Sequence, residues 1–437
     1  MLKVLKFGGS SLADVNQFKK VKAIVEADER RNVIVVSAIG KSNKDDHKVT
    51  DLLYLCYAHI QYKMETDSIF QIVKDKYLKI EKDLGIDANI KEELKLIEDK
   101  MKSGIDQDYL VSRGEYLAAK IMAKYLNYYF VDAKDLIAFN YDGSLDNTKI
   151  KKQVEEVYKD HKKIVVPGFY GAYQDGNIHL LSRGGSDVTG SILASALNAS
   201  LYENWTDVSG FYVTDPKIVD NPKQIQEISY AELRELSYMG ANVLHEDTIF
   251  PILDLDIPIN VLNTNRPEDK GTIISANPRD TKQIITGVTG KKNYSSITII
   301  KYPKMAKNKV IKLALDILDK YQIEVEHMPS SIDTFSLIVD DSKYHNHLYE
   351  AIADLKKLEE VEDVIFENDI ALIAIVGRNM ATKAGISAKV FSVFGSNNIN
   401  IKVIAQASQE LSIIVGVKNN EFEKAIRAIY DALVQND

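Results

Sequence analysis

Several short runs in the first 278 residues are aliphatic and β-branched at nearly every position, among them Val33-Ile34-Val35-Val36 and Ile164-Val165-Val166. A strand with one face in water alternates apolar and polar side chains, so a run without a polar face reads as a strand covered on both sides. Val4 to Phe7, the run ending at Leu181, Leu201 to Trp205 and Ile257 to Leu262 are further strand candidates, with helical stretches between them. That alternation builds a layered α/β sheet. A long helical insertion fills Thr50 to Asn127, and its Lys- and Glu-rich stretch from Asp83 to Lys102 reads as a solvated helical face.

Residues 277–280, with Pro278, read as a linker that divides the chain into 1–280 and 281–437. The second part repeats itself. Strand Ile297 to Ile300, helix Asn308 to Tyr321, strands Ile323 to Glu326 and Phe335 to Val339, and helix Tyr344 to Leu358 form the first series. Strand Leu372 to Val376, helix Ala384 to Asn397, strands Ile399 to Val403 and Leu411 to Val415, and helix Glu421 to Val434 form the second. Corresponding strands are offset by 76 residues in both cases (399 − 323 and 411 − 335). Two βαββαβ units, roughly 297–366 and 370–437, fit this pattern, with room for strands to be exchanged between them.

At 437 residues the chain can bury large cores without covalent staples. Its net charge of −8 speaks against nucleic acid as the main partner, which demands a basic face. The single cysteine, Cys56, excludes an intramolecular disulfide and a cysteine-based zinc site. It reads as a small buried hydrophobe and fits a reducing cytosol. The chain opens on a strand rather than a signal peptide, and no apolar run approaches the roughly 18 residues that span a bilayer. The expectation is a cytoplasmic protein with no membrane partner. His345 and His347, two apart on a helix, do not face each other, and no metal site is read.

Two strand-to-glycine turns carry the chemistry. Lys6-Phe7-Gly8-Gly9-Ser10-Ser11 follows the first strand, and Ser182-Arg183-Gly184-Gly185-Ser186-Asp187 follows Ile178 to Leu181 and opens the helical stretch Val188 to Asn198. Glycine lets backbone N–H groups close on an anion, and a following helix N-terminus adds its dipole. One turn holds a lysine and the other an arginine and an aspartate, which points to phosphoryl transfer. Gly40-Lys41-Ser42 is not a Walker P-loop, because the first glycine of that motif would fall at Val35. Lys41 and Ser42 read as a polar loop.

The Lys6 to Ser11 turn resembles the opening of aspartate kinases, and an ordered series continues the resemblance over nearly the whole chain. Ser37-Ala38, Val49-Thr50-Asp51-Leu52-Leu53, Ser112-Arg113-Gly114-Glu115-Tyr116-Leu117-Ala118-Ala119, Pro167-Gly168-Phe169, Arg183 to Asp187 and Trp205 to Pro216 follow in the family's order. Gly377-Arg378-Asn379-Met380 through Ala407-Ser408 is similar to an ACT domain, an amino-acid-sensing module that the family carries in tandem. The resemblance implies an amino-acid-kinase-type αβα sandwich with a mostly parallel sheet over 1–280, followed by two ACT domains. It implies transfer of the γ-phosphoryl of ATP, with Mg²⁺, to the β-carboxylate of L-aspartate. The product is 4-phospho-L-aspartate, the first step toward lysine, threonine and methionine. The attacking carboxylate is already an anion near neutral pH, so the transition state needs positive charge and N–H donors rather than a base.

By the same resemblance Lys6 and Asp187 are catalytic, with Asp187 orienting Lys6. Ser37, Thr50, Glu115, Arg183 and Ser186 hold aspartate, Arg183 forking onto its α-carboxylate. ATP meets Lys6, Gly8, Gly9, Ser10, Thr206, Asp207, Tyr212, Lys217 and Asn242. Lys217 stands where relatives commonly have arginine, and Asn242 where many have lysine, which removes a charge near the phosphates. In the tail, Met305, Val325, Glu326, Ser330 and Ser331 are implied to hold a free amino-acid effector. Lysine is the first candidate, with threonine, or the two together, as the alternative. A homodimer or dimer of dimers through the ACT domains is implied as well. Two other readings stay open: another amino-acid kinase such as glutamate kinase, which lacks the paired tail, and a non-catalytic amino-acid sensor, which the intact Lys6, Glu115, Arg183 and Asp187 oppose.

Overall fold

The β-branched runs become neighbouring strands of one sheet. The computed structural model describes the chain except for residues 182–183, 241–243, 245, 280–283, 381, 407–408 and 436–437, and the side chains at 246, 345 and 346. It forms two units, the first made of Met1–Phe211, Gln226–Tyr230 and 242–278.

Strands of the first unit are β1 (Lys3–Phe7), β2 (Arg31–Val36), β3 (Tyr129–Phe130), β4 (Ile164–Pro167), β5 (Tyr170–Ala172), β6 (Ile178–Leu180), β7 (Leu201–Thr206), β8 (Glu227–Ser229), β9 (Ile259–Asn263) and β10 (Thr272–Ser275). Eight of them make a sheet in the order β3-β4-β2-β1-β7-β9-β10-β8, while β5 and β6 form a hairpin. Pairing is parallel from β3 to β9, and β10 runs antiparallel to β9. Helices are α1 (Val15–Glu26), α2 (Val49–Gln61), α3 (Asp67–Leu84), α4 (Ile90–Ser103), α5 (Gln107–Leu126), α6 (Asn147–Asp160) and α7 (Gly185–Ala196). The insertion after β2 is thus the four helices α2 to α5. Its Lys- and Glu-rich member, α4, buries only the stripe Ile90, Leu94, Ile97 and Met101.

Alternation along β1 and β2 sorts their side chains. Leu5, Phe7, Ile34 and Val36 join one large core with α1 to α5. Val4, Lys6, Val33 and Val35 point the other way, where α7 packs on β1 and β2. Lys6 therefore emerges on the α7 face, at the end of its strand. The chain crosses from β1 toward β2 and β4 on one side and toward β7 and β9 on the other, so the strand order reverses at β1/β7. In such sheets the crevice at the carboxyl ends of the strands beside the reversal is where ligands bind.

The second unit comprises Tyr212–Ile225, 231–241 and Arg279–Asp437, so two short stretches before the expected boundary near 280 pack with the tail. α8 (Tyr230–Tyr238) begins in the first unit and continues in the second, and α9 (Phe250–Leu253) belongs to the first. The tail holds β11 (Gly287–Lys301), α10 (Lys307–Lys320), β12 (Thr334–Asp340), α11 (Asp341–Leu355), β13 (Val361–Val376), α12 (Ile386–Ser396), β14 (Val403–Gln406), β15 (Ser412–Lys418) and α13 (Phe422–Tyr430). These five strands make one antiparallel sheet, β12-β11-β13-β15-β14.

The two repeats are fused rather than separate. β11 and β13 pair almost end to end: Gly287–Lys291 meets Val376–Leu372, and Ile297–Ile300 meets Phe366–Asp363. Their far halves carry the core of Ile297, Ile299, Val310, Leu318, Phe335 and Leu348. The expected strand Ile323 to Glu326 is not regular: bridges to β12 come only just past it, at His327↔Ile338 and Ser330↔Phe335. Pro329 lacks an N–H, which fits an edge segment that cannot sustain a ladder. Most of the expected strand Ile399 to Val403 is irregular too, with β14 starting at Val403. No helix among the described residues is long and apolar enough to cross a membrane. Cys56 is buried, and burial pushes its thiol up to about 12.

Candidate active site

Both glycine turns open into one cleft of about 590 Å³ in the first unit. Of the residues expected at the site, Lys6, Gly8, Gly9, Ser10, Ser37, Thr50, Glu115, Ser186, Asp187, Thr206 and Asp207 all line it. Tyr212 and Lys217 belong to the second unit. Arg183 and Asn242 lie outside the described residues. A wider groove of about 1000 Å³ in the same unit is walled by Tyr109, Tyr141, Tyr173 and His179. The smaller cleft is the better candidate, because it gathers a buried lysine–aspartate pair and a buried carboxyl at the strand ends.

The first turn is set by backbone contacts. Gly8 donates its N–H to the Trp205 carbonyl at 3.0 Å. Gly8 therefore supplies position rather than a donor. The N–H groups of Gly9 and Ser10 head a 3-10 turn, Gly9–Leu12, and have no acceptor among the described residues. Gly9 also backs onto Gly40: Gly40 N–H donates to Gly9 O at 3.0 Å. A Cβ on Gly40 would sit 2.5 Å from the Gly9 carbonyl carbon, so this approach requires glycine.

The second turn is built around α7. Gly184 takes a left-handed conformation (φ +76°) as its N-cap, and Asp187 lies in the first turn of the helix. Lys6 Nζ lies 2.6 Å from Asp187 Oδ1. The Asn204 side-chain amide donates to the same oxygen at 2.8 Å. Both Lys6 and Asp187 are largely buried, so the pair is screened little and fixes where the ammonium sits. Tyr202 hydroxyl donates to the Asp187 carbonyl at 3.0 Å, which seats that turn on β7.

Glu115 enters from α5, whose Gly114 presses on Ala38 just past β2. The residue is only 4% exposed, and Oε2 has no hydrogen-bond partner among the described residues. Burial raises its carboxyl from 4.5 to about 7, against a backbone hydrogen bond at Ala38 and the charges of Arg113 and Lys6. A buried carboxylate oxygen without a donor is costly unless a ligand supplies one. Thr50 in the first turn of α2, Ser37 past β2 and Ser186 on α7 add hydroxyls around the same space.

Sequence reasoning missed Gly40, Lys41, Lys48, Phe169 and Asn204 as contributors. Lys41, read as part of a polar loop, is in irregular backbone and lines the cleft. Phe169 also lines it, at φ 78°, a region uncommon for a bulky side chain. No spacing rule exposes these residues: Gly40 meets Gly9, and Asn204 meets Asp187, only through the fold. No group of three or more His, Cys, Asp or Glu suited to a metal is present among the described residues.

In the second unit, Met305 and Val325 pack on the core of the first repeat. Lys307, the first residue of α10, donates to the Ser331 carbonyl at 2.7 Å, which brings the Ser330-Ser331 corner to that helix end. Glu326 accepts a hydrogen bond from the Tyr238 hydroxyl of α8. That partner was not legible in the sequence.

Comparison with known proteins gives a consistent set of likenesses. Residues 1–263 match the amino acid kinase family, and residues 373–433 match an ACT domain. Aspartokinase 3 of Bacillus subtilis is 35% identical over 446 residues, covering 98% of each chain. The crystal structure of Clostridium acetobutylicum aspartate kinase is 45% identical, with a TM-score of 0.93 over 99% of each chain. E. coli aspartokinase III has been solved with aspartate and ADP, and with lysine and aspartate. These structures superpose with TM-scores of 0.76 and 0.80 at 24% identity, covering 99% of this chain and 100% and 99% of theirs. At that identity the likeness shows the fold.

Proposed function

The chain belongs to the aspartokinases of the amino acid kinase family, and from that footing we propose how its cleft works and how its tail governs it. The reaction is transfer of the γ-phosphoryl of ATP, carried in with Mg²⁺ as part of the nucleotide substrate, to the β-carboxylate of L-aspartate. The observation that carries this reading is the Lys6–Asp187 pair at 2.6 Å beside the unpartnered, buried Glu115 carboxyl. The nucleotide's terminal phosphates lie against the Gly9 and Ser10 N–H groups and Lys6 Nζ. Asp187 and Asn204 hold that ammonium where charge develops in the transition state. Glu115 takes the α-ammonium of aspartate, which restores the missing partner of Oε2. Ser37, Thr50, Ser186 and Arg183 complete the substrate site, and Thr206, Asp207, Tyr212, Lys217 and Asn242 the nucleotide site. No proton leaves the acceptor carboxylate, so no base is required.

Residues 281–437 act as the regulatory region and as the surface for a homodimer or dimer of dimers. An end-product amino acid binds at the first repeat, its carboxylate at the α10 end near Met305 and Ser330-Ser331, its ammonium at Glu326. Lysine is the first candidate and threonine the second; the lysine complex of the E. coli relative supports that order. Inhibition follows if the effector binds a low-activity arrangement more tightly, by reciprocal linkage with substrate. The test is ATP-dependent acyl phosphate formation trapped as a hydroxamate, with aspartate and glutamate compared, and lysine and threonine added singly and together. Turnover with aspartate but not glutamate, lowered by an added amino acid, is expected. No turnover with aspartate refutes the catalytic reading, and an unchanged rate with both effectors refutes the regulatory one.

A further inference from the structure

Lys6 is the lysine that sequence reasoning singles out, yet its charge is already engaged by Asp187 at 2.6 Å. A bound nucleotide brings several negative charges into the same cleft, and the Lys6–Asp187 pair has little net charge to offset them. Two more lysines line the cleft, Lys41 and Lys48, both exposed and neither with an ion-pair partner among the described residues.

Their placement differs. Lys48 is the N-cap of α2, two residues before Thr50, one of the residues assigned to aspartate. Lys41 follows Gly40, whose N–H donates to Gly9 O at 3.0 Å in the phosphate turn. Consecutive Cα atoms are about 3.8 Å apart, so a lysine side chain starting there can extend across the Gly9 and Ser10 N–H groups. The residue on the other side is pinned as well. Ser42 donates its N–H and its hydroxyl to Asp46 Oδ2, both at 2.8 Å. Asp46 in turn pairs with Lys76 of α3 at 2.6 Å. Lys41 is thus presented from between two anchors, while its own ammonium is left without a counter-ion.

We infer that Lys41 is a phosphate-binding residue of the nucleotide site, supplying the uncompensated positive charge at the transferring end of ATP. This rests on the nucleotide reading of the cleft given above. An ammonium on a phosphate is a charge-assisted hydrogen bond, and losing one weakens binding by about tenfold or more. The loss scales with the number of phosphates and shrinks as salt screens the charge.

The experiment is calorimetric titration of Lys41→Gln, Lys41→Arg and Lys48→Gln with MgATP, MgADP and AMP at low and high ionic strength, alongside steady-state kinetics. Expected for Lys41→Gln is about tenfold weaker ATP, a smaller loss for ADP, none for AMP, and a convergence with wild type at high salt. Lys41→Arg should retain most of the affinity, and Lys48→Gln should shift ATP less than Lys41→Gln does. Equal weakening of AMP would mean a loop-folding role, unchanged ATP would mean the ammonium points elsewhere, and a shift confined to aspartate KM would move Lys41 to the acceptor side. Each of these overturns the inference. Wild type that binds no ATP overturns the nucleotide reading itself.

Discussion

Replacing Glu115 by glutamine removes a carboxyl that burial holds at about 7, against an ordinary value of 4.5. The gap of about 2.5 pH units, at about 1.4 kcal/mol per unit, corresponds to roughly 3 to 4 kcal/mol of linkage between this group and folding. Its sign follows from which state holds the proton more tightly. The folded protein does, so the contribution is fully present below about pH 4.5 and is lost as pH rises through about 7. Ligand-free wild type should therefore lose stability over that window, and Glu115→Gln should not. Denaturant midpoints of both proteins at pH 5, 6, 7 and 8, at matched ionic strength, read the difference directly. The variant should gain on wild type with rising pH, to roughly 3 to 4 kcal/mol at the alkaline end. A substrate ammonium at Oε2 favours the ionised form, so wild-type affinity for aspartate should tighten as pH rises toward and past 7. Affinity of the variant should stay weak and flat. A pH-independent stability difference, or aspartate affinity insensitive to the substitution, would refute both the burial argument and the ammonium role.

Lys6→Ala should lower kcat by on the order of 10²-fold with aspartate affinity nearly kept, since a cation counts most where charge develops; near-normal kcat would remove Lys6 from the transferring phosphate. Arg183→Lys keeps the charge but loses the two-pronged fork, so aspartate KM should rise steeply while ATP KM holds; movement of ATP KM instead would place Arg183 in the nucleotide site. Glu326→Ala should relieve inhibition by the effector amino acid with uninhibited activity nearly intact, measured as the inhibition midpoint. Retained inhibition at the wild-type midpoint would mean the Glu326 carboxylate serves only the Tyr238 hydroxyl.

The sheet was legible because its strands have no polar face. Val33 to Val36 and Ile164 to Val166 can be covered only on both sides, and the glycine turns at their neighbours mark where the strand ends open. Convergence of Lys6, Glu115 and Asp187 was legible only through an ordered set of motifs, because their contacts span α5 and α7 and leave no periodic trace. The donor of Gly8 could not be assigned from sequence: it goes to Trp205, almost two hundred residues later. The tail hid its main feature for the same reason. β11 and β13 are long strands serving both repeats, and their pairing is nonlocal, whereas the 76-residue offset records only that the repeats exist. Ile323 to Glu326 has strand composition yet stays irregular, with bridges only beyond it at His327 and Ser330, since β propensity measures fit to neighbours and this stretch lies at a sheet edge. Lys41 reads as loop and is loop; what the sequence lacks is the pair of anchors that aims it.

The most direct measurement follows an oxygen atom. Aspartate labelled with ¹⁸O in its β-carboxylate is incubated with the protein and MgATP, the product is trapped with hydroxylamine, and the released phosphate is analysed by mass spectrometry. If the carboxylate attacks the γ-phosphorus, one labelled oxygen bridges carbon and phosphorus. Hydroxylamine then attacks the carbonyl and leaves that oxygen on phosphate, so the phosphate should carry ¹⁸O in step with the hydroxamate formed. Phosphate released without label in the presence of aspartate would mean that water accepts the phosphoryl group, and would contradict the assignment of the cleft to carboxyl phosphorylation.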